Sequence, residues 1–555
     1  MKALLALLLL ALGLVPAPAR GRQAVEPIKY WIFFADRGQA AKAAPVEVSE
    51  RALRRRALRG QAPGAAYDLP PSPAYVGALR GMGVEPRVQS RWLNAVSAYL
   101  TPEQVEAVRT LPFVRGIRPV GGMAPVDETA RPLVEAPSLP LVPHRLARRL
   151  DYGLSQTQLA RVNALPPLER GLNGSGVRLG IIDTGLGDLA THPAFDRMLA
   201  EERFLESRDF TGQPDDGSRH GRSVLSVAAG FDEGALIGPG YGAEILHART
   251  EYTPTETNQE EDNFVAGLEW MEAEGVDVVN VSLGYSEFDA GQHSYTPDDM
   301  DGDTPVTTQA ADRAAQLGVV VVVSAGNSGN DAWRIITSPA DGDSVITVGA
   351  VDANGLKASF SSFGPTADGR IKPDVSAQGV SVYLANATSG YGFSNGTSFS
   401  APMVSGLVTL LLQVNPALTP VQVRDVLRQT ASQSTSPDNS LGWGIVDAEA
   451  AVALAEALAT GVDEVPAPDA VEVDAYPLPA TDRAVVAVRV SAPVAQARLS
   501  VYDLLGRRIA MPYAGPLPPG LSRLPIDLTG LPAGVYLYTL HTPKFTRHGR
   551  LVVTR

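Results

Sequence analysis

The 555-residue chain contains no cysteine. Disulfides, thiol nucleophiles and thiolate metal sites are therefore excluded, and the redox compartment has to be read from other features. Positive charge is in short supply: 47 Lys and Arg stand against 60 Asp and Glu, for a formal net charge of −13. Such a balance disfavours polyanionic partners, so no nucleic-acid role is expected. Long apolar runs are also lacking outside residues 3–15. The next candidate, residues 401–414, is interrupted by Ser405 and Gly406 and stops at Asn415 and Pro416, so no bilayer span is expected in the mature chain. The length and a hydrophobic content of 45% are sufficient for several domains with substantial cores.

Residues 1–19 have the layout of a secretory signal peptide: Lys2, the apolar run, then Ala17 and Ala19 around Pro18 in A-x-A spacing. A secreted or cell-surface protein is expected. A small α+β pattern occupies residues 25–120, with a strand at 30–34, a helix at 74–80 and an extended stretch at 92–100. Thr101, Pro102 and Gln104 then form a capping box ahead of Val105, Val108 and Leu111, and residues 113–120 read as a strand. Arg51, Arg54, Arg55, Arg56 and Arg59 fall on a helical pattern and are expected to be a solvated face without a binding role.

Residues 121–150 hold five prolines without periodicity and read as an exposed linker and processing region. Arg145, Arg148 and Arg149 near its end fit a processing signal and a polar spacer equally well. From 151 to 458, β-branched runs at 177–182, 245–248, 276–281, 319–323 and 345–348 alternate with helical segments at 221–229, 263–274 and 306–317. Continuous apolar strands imply a parallel sheet with helices on both faces, an α/β fold, with its ligand site beyond the carboxyl ends of the strands. A second linker spans 459–473. Residues 474–555 show period-two strands between Gly and Pro turns, as in a small β-sandwich.

The residues at those strand ends are chemically suggestive. Asp183 ends a buried run, His220 opens a helical segment, and Ser398 lies in GTSFSAP, residues 396–402, at the mouth of an apolar helix. Taken singly they read as a turn former and two helix caps. Together they supply a hydroxyl, an imidazole to take its proton and a carboxylate to orient the imidazole. Helix-start N–H groups would favour negative charge developing beside Ser398.

The order Asp, His, Ser with DTG, HGRSVLS and GTSFSAP resembles the subtilisin-like serine peptidases, peptidase family S8, over roughly residues 171–454. The resemblance implies a serine endopeptidase with Asp183, His220 and Ser398 as its triad. Asn327 is implied as oxyanion donor together with the Ser398 N–H; in this family loss of such an amide costs about 10²–10³ in rate. Ser282, Leu283, Gly284, Ser324, Ala325 and Gly326 are implied as the edges that hold the substrate backbone. FSSFGP (360–365) and KPDV (372–375) match structurally. Arg222, Gln378 and Phe399 depart from the usual threonine, proline and methionine.

The N-terminal region, through SRWLNAV (90–96) and LPFV (111–114), is similar to inhibitor-like propeptides of related enzymes, which implies a zymogen. YPLPA (476–480), VYDLLGRR (501–508) and LPAGVYLY (531–538) resemble type IX secretion sorting domains, with Leu478 in place of the usual asparagine. Expected partners are protein or peptide substrates, the chain's own propeptide and the secretion machinery, and a monomer is expected. The chemistry requires no cofactor. Asp298, Asp299, Asp301 and Asp303 cluster, but Thr304 and Ala310 occupy the EF-hand glycine and glutamate places. No metal site is assigned, and Asp299, Asp301 and Asp303 are candidates for a structural calcium ion. A catalytically silent, surface-attached binding protein of the same fold is the alternative. An α/β-hydrolase is disfavoured because Ser400 stands where its elbow needs glycine.

Overall fold

The computed structural model describes residues 27–38, 47–60, 67–119 and 150–459, apart from 290, 291, 293, 387 and 388. At the C-terminus it describes 471–554, apart from 477–479, 491, 492, 503–507, 519 and 543–545. The signal-peptide reading, most of both linkers and most of VYDLLGRR lie outside the described residues; residues 471–473, expected in the second linker, belong instead to the strand Val471–Tyr476. The chain forms two units, Met1–Ala459 and Thr460–Arg555.

The first unit is built on a seven-stranded sheet. Its order runs Val375–Gln378, Ile346–Val351, Val320–Ser324, Val278–Val281, Arg178–Asp183, Glu244–Arg249 and Phe204–Asp209, and every pairing is parallel. The central strands are apolar throughout because both faces are covered. Helices His220–Ala229 and Thr397–Val414 close one face, where Val224, Leu225, Val404 and Leu407 pack with Leu179 and Ile181. Helices Gln259–Ala273 and Val306–Gln316 close the other, through Phe264, Leu268, Ala310 and Ala314. Thr397–Val414 is long and apolar enough to cross a membrane, yet 89% of it is buried as the core helix of this unit.

The N-terminal domain is a four-stranded sheet in the order Gln89–Ser90, Ala95–Leu100, Ile28–Phe34 and Val114–Pro119. Its central strand is apolar at consecutive positions, and alternation sends those side chains to opposite faces. Ile32 and Phe34 meet Val76, Leu79, Val105 and Val108 of the domain's own helices. Trp31 and Phe33, with Trp92, join the core under Gln259–Ala273 and Val306–Gln316. The sheet is thus a layer laid on the helices Gln259–Ala273 and Val306–Gln316.

The arginine helix corrects a sequence expectation. Ser49 caps Glu50–Leu58 by accepting from the Ala52 N–H. Arg54 is exposed, but Arg55, Arg56 and Arg59 are buried against the larger domain rather than solvated. Arg55 and Arg56 both pair with Glu272; Arg56 and Arg91 pair with Asp68. Arg51 reaches Asp277 at 2.7 Å, and Lys29 meets Asp262 at 2.5 Å with both side chains fully buried. Asp68 is near in sequence, but Glu272, Asp277 and Asp262 lie more than 200 residues from the Arg55, Arg56, Arg51 and Lys29 side chains they meet, beyond the reach of local pattern reading.

The second unit is the expected β-sandwich. A sheet of Val471–Tyr476, Arg483–Val490 and Gly520–Asp527 faces one of Arg508–Leu517, Val494–Tyr502, Gly534–His541 and Thr546–Val553. Val486, Val488, Leu499, Val501 and Leu540 share its core.

Candidate active site

The strand Arg178–Asp183 carries Leu179, Ile181 and Ile182 into the core and ends at Asp183, which is fully buried. The helix His220–Ala229 starts directly over that end. Gly221 permits this approach: a Cβ there would stand 2.7 Å from the Thr184 carbonyl oxygen and 3.2 Å from the Asp183 Cβ. As a result the His220 Nδ1 lies 2.7 Å from Asp183 Oδ1, which also accepts the Thr184 N–H at 2.7 Å. A carboxylate only accepts, so the imidazole proton sits on Nδ1 and the lone pair on Nε2.

Ser398 occupies the first turn of Thr397–Val414, entered through Gly396 at φ +152° and ψ 150°, a conformation that side-chain-bearing residues avoid. Two links fix that turn. Asn327 Oδ1 accepts from the Thr397 N–H at 2.9 Å and from Thr397 Oγ1 at 3.0 Å, which sets the orientation of the carboxamide and leaves its NH₂ for another acceptor. Pro402 has no N–H to give the Ser398 carbonyl. Ser282 Oγ fills that place, donating to the Ser398 oxygen at 2.8 Å, while Asn280 Nδ2 donates to Ser282 Oγ at 2.9 Å. The strand end and the serine turn are thereby joined by side chains.

His220, Asn327 and Ser398 line a single cleft of about 320 Å³, with Ser282, Leu283, Gly284, Ser324 and Gly326 along it. Ala325 is the exception among the expected edge residues: its side chain is buried in the core under Gln259–Ala273 and Val306–Gln316, and its N–H donates to the Val348 carbonyl.

Residues 174–444 match the subtilase family, and subtilisin DY of Bacillus licheniformis is 34% identical over 312 residues, 55% of this chain and 99% of its own length. The chain belongs to the subtilase family. It is a serine endopeptidase by that membership. Residues 29–131 match the peptidase S8 propeptide domain of Bacteroidota, so this subtilase carries a propeptide domain. An alkaline protease of Alkalihalobacillus alcalophilus is 31% identical over 360 residues, 65% of this chain and 79% of its own length. A solved protease from Pseudoalteromonas arctica superposes with a TM-score of 0.43 at 24% identity, over 55% of this chain and 99% of that one.

The subtilase departs from the usual residues at three places, and each has a structural setting. Phe399 puts its ring 5.6 Å from the His220 imidazole and is itself buried. Gln378 donates to the Val380 carbonyl at 3.1 Å. Arg222 is buried outside the cleft lining, and its charge bears on His192. Asp299 accepts from the Thr296 N–H and hydroxyl, and Asp301 from the N–H groups of Asp303 and Thr304. These two carboxylates cap their own turns, and among the described residues no group of three His, Cys, Asp or Glu is arranged to hold a metal ion.

His247 went unnoticed in the sequence because one histidine inside the otherwise apolar run 245–248 gives no pattern. Its Nε2–H donates to the Thr184 carbonyl at 2.9 Å, and Nδ1 accepts from Ser207 Oγ at 2.8 Å. Full burial pushes the imidazole down to about 4, so it is neutral while it holds the turn after Asp183.

Proposed function

We propose that Ser398, His220 and Asp183 are the nucleophile, the base and the orienting carboxylate of an endopeptidase made as a secreted zymogen. The observation carrying this reading is the 2.7 Å contact between His220 Nδ1 and Asp183 Oδ1, with His220 and Ser398 on one cleft. Ser398 Oγ attacks the peptide carbonyl as its proton passes to His220 Nε2, and Asp183 stabilises the imidazolium. The oxyanion receives hydrogen bonds from Asn327 Nδ2 and the Ser398 N–H, at a helix start that favours negative charge. His220 returns the proton to the leaving amine. Water then hydrolyses the acyl-enzyme by the same relay, and no cofactor enters the chemistry. The strand end at Ser282–Gly284 pairs with the extended substrate backbone.

The zymogen reading has residues 1–19 as signal peptide, 25–120 as inhibitory propeptide and 151–458 as the peptidase domain. Residues 474–555 act as a type IX sorting domain, supported by LPAGVYLY and the sandwich but not by the Leu478 position. The test compares purified wild type with Ser398→Ala on casein, followed by N-terminal sequencing of both. Casein hydrolysis is expected to fall by about 10⁶, the magnitude established for this family. Equal hydrolysis by the two forms refutes the assignment. Self-processing predicts a wild-type N-terminus near Asp151 and an uncut Ser398→Ala form; trimming of both assigns the cut to another enzyme.

A further inference from the structure

The cleft also carries four carboxyl groups. Glu251 follows the Glu244–Arg249 strand, Glu256 and Glu260 flank the start of Gln259–Ala273, and Glu287 lies just beyond Gly284; all four line the same cleft as Ser398 and His220. Among the described residues no Lys or Arg lines it. Glu251 is 7% exposed, and while its Oε1 accepts from Tyr285 Oη at 2.7 Å and Thr250 Oγ1 at 3.0 Å, its Oε2 has no hydrogen-bond partner among the described residues. Glu260, 3% exposed, accepts from the N–H groups of Tyr252 and Thr257, both at 3.2 Å, and shares a carboxyl–carboxyl hydrogen bond with Glu256.

These groups are short of a cation. Burial first, then repulsion from Glu256, pushes Glu251 up to about 8; Glu256 and Glu260 are also pushed up, chiefly by burial. Glu272 shows what the same fold does with a buried glutamate that serves structure alone. It is fully buried too, but Arg55, Arg56 and Arg91 surround it and hold its carboxyl below the ordinary value. Buried charges are normally paired in this way, and a group left without a counter-ion in a reaction cleft marks a place for a ligand charge. A metal ion fits less well, since no metal-holding group of carboxylates occurs among the described residues.

The chain's own sequence offers the complementary charge. Arg145, Arg148 and Arg149 stand immediately on the amino side of Leu150 and Asp151, where the peptidase domain begins. We propose that Glu251, Glu256 and Glu260 form a subsite that selects substrates with arginine or lysine among the residues preceding the scissile bond. The inference rests on the peptidase reading above. A guanidinium or ammonium entering the cleft would pair with these carboxyls in place of the protons that burial keeps on them, and truncation to a neutral side chain would lose that pairing.

The test uses the self-matured wild type and two variants, Glu256→Gln alone and Glu251→Gln/Glu256→Gln/Glu260→Gln. The probes are internally quenched peptides of residues 143–154, PHRLARRLDYGL, and the same peptide with its three arginines replaced by glutamine. Wild type is expected to favour the arginine peptide by at least about tenfold in kcat/KM, with the ratio falling in Glu256→Gln and approaching one in the triple variant. A wild-type ratio near one overturns the subsite while leaving the peptidase intact, and requires no variant to fold. An unchanged ratio in variants with the wild-type melting temperature also overturns it. Absence of cleavage of both peptides by folded wild type overturns the peptidase reading and the subsite together.

Discussion

His247 bonds the Thr184 carbonyl next to Asp183, a member of the proposed triad, and sets a pH limit on the fold. Its folded value of about 4 lies below the ordinary 6.5. The unfolded chain therefore takes up a proton below pH 6.5 that the native chain refuses until about pH 4. The stability contributed is fully present above 6.5 and is lost as pH falls from 6.5 through 4, about 3 kcal/mol in all. His247→Gln keeps a donor for the Thr184 carbonyl but cannot titrate. Its melting temperature should fall less steeply than that of wild type between pH 7 and 4; parallel curves would show that His247 is not the group responsible. The same residue marks the limit of sequence reading at this scale. Asp183, His220 and Ser398 are legible because each stands in a motif, whereas His247 acquires its role only from the Thr184 and Ser207 atoms that the folded sheet brings to it.

At the scale of elements, the site depends on how closely a helix start can approach a strand end. Gly221 is the decisive position. A methyl group there meets the Thr184 oxygen at 2.7 Å, backbone against side chain, with no flexible atom to move aside. Gly221→Ala should shift the start of His220–Ala229 away from Asp183. About 1–3 kcal/mol of stability is expected to be lost through overpacking, with kcat reduced more than KM because the imidazole loses its orientation. Thermal melts and steady-state kinetics check this, and wild-type kcat in the variant would contradict the role of the close approach. The long helix shows how an irregularity can be put to use: Pro402 frees the Ser398 carbonyl, and Ser282 occupies it. Period and capping rules locate most elements to within a few residues. They miss the edge strand Phe204–Asp209, whose exposed FLESRD lacks the apolar run of its buried neighbours.

For the Met1–Ala459 unit, the N-terminal domain is held by apolar packing and by a buried charge cluster around Glu272. Burial by itself would raise the Glu272 carboxyl. The hydrogen bonds from Arg56 and the charges of Arg55, Arg56 and Arg91 outweigh burial and hold it below 4.5. Its contribution to docking is fully present above 4.5 and is lost as pH falls through the lower folded value. Glu269 and Asp262 oppose this, since burial raises both, so acid weakens the interface chiefly through Glu272. Glu272→Ala leaves three guanidinium groups without their shared partner, at a cost of about 3–5 kcal/mol. Once the chain is cut between residues 119 and 151, the N-terminal domain should co-elute with wild type on gel filtration and separate from Glu272→Ala at the same pH. Co-elution with both would assign the docking to Trp31, Phe33 and Trp92 instead.

The sequence by itself determined the parallel β/α framework, the terminal sandwich and the three residues proposed as the triad, because these are written in local runs, strand periods and short motifs. Tertiary structure decided which charges are buried and what they meet. Arg55 and Arg56 pair with Glu272, while among the described residues no Lys or Arg lines the cleft that holds Glu251 and Glu260. Both sets look alike as charged residues on helical or loop segments. They differ only in the distant elements packed against them, and the cost of burying a charge depends on those partners rather than on the residue.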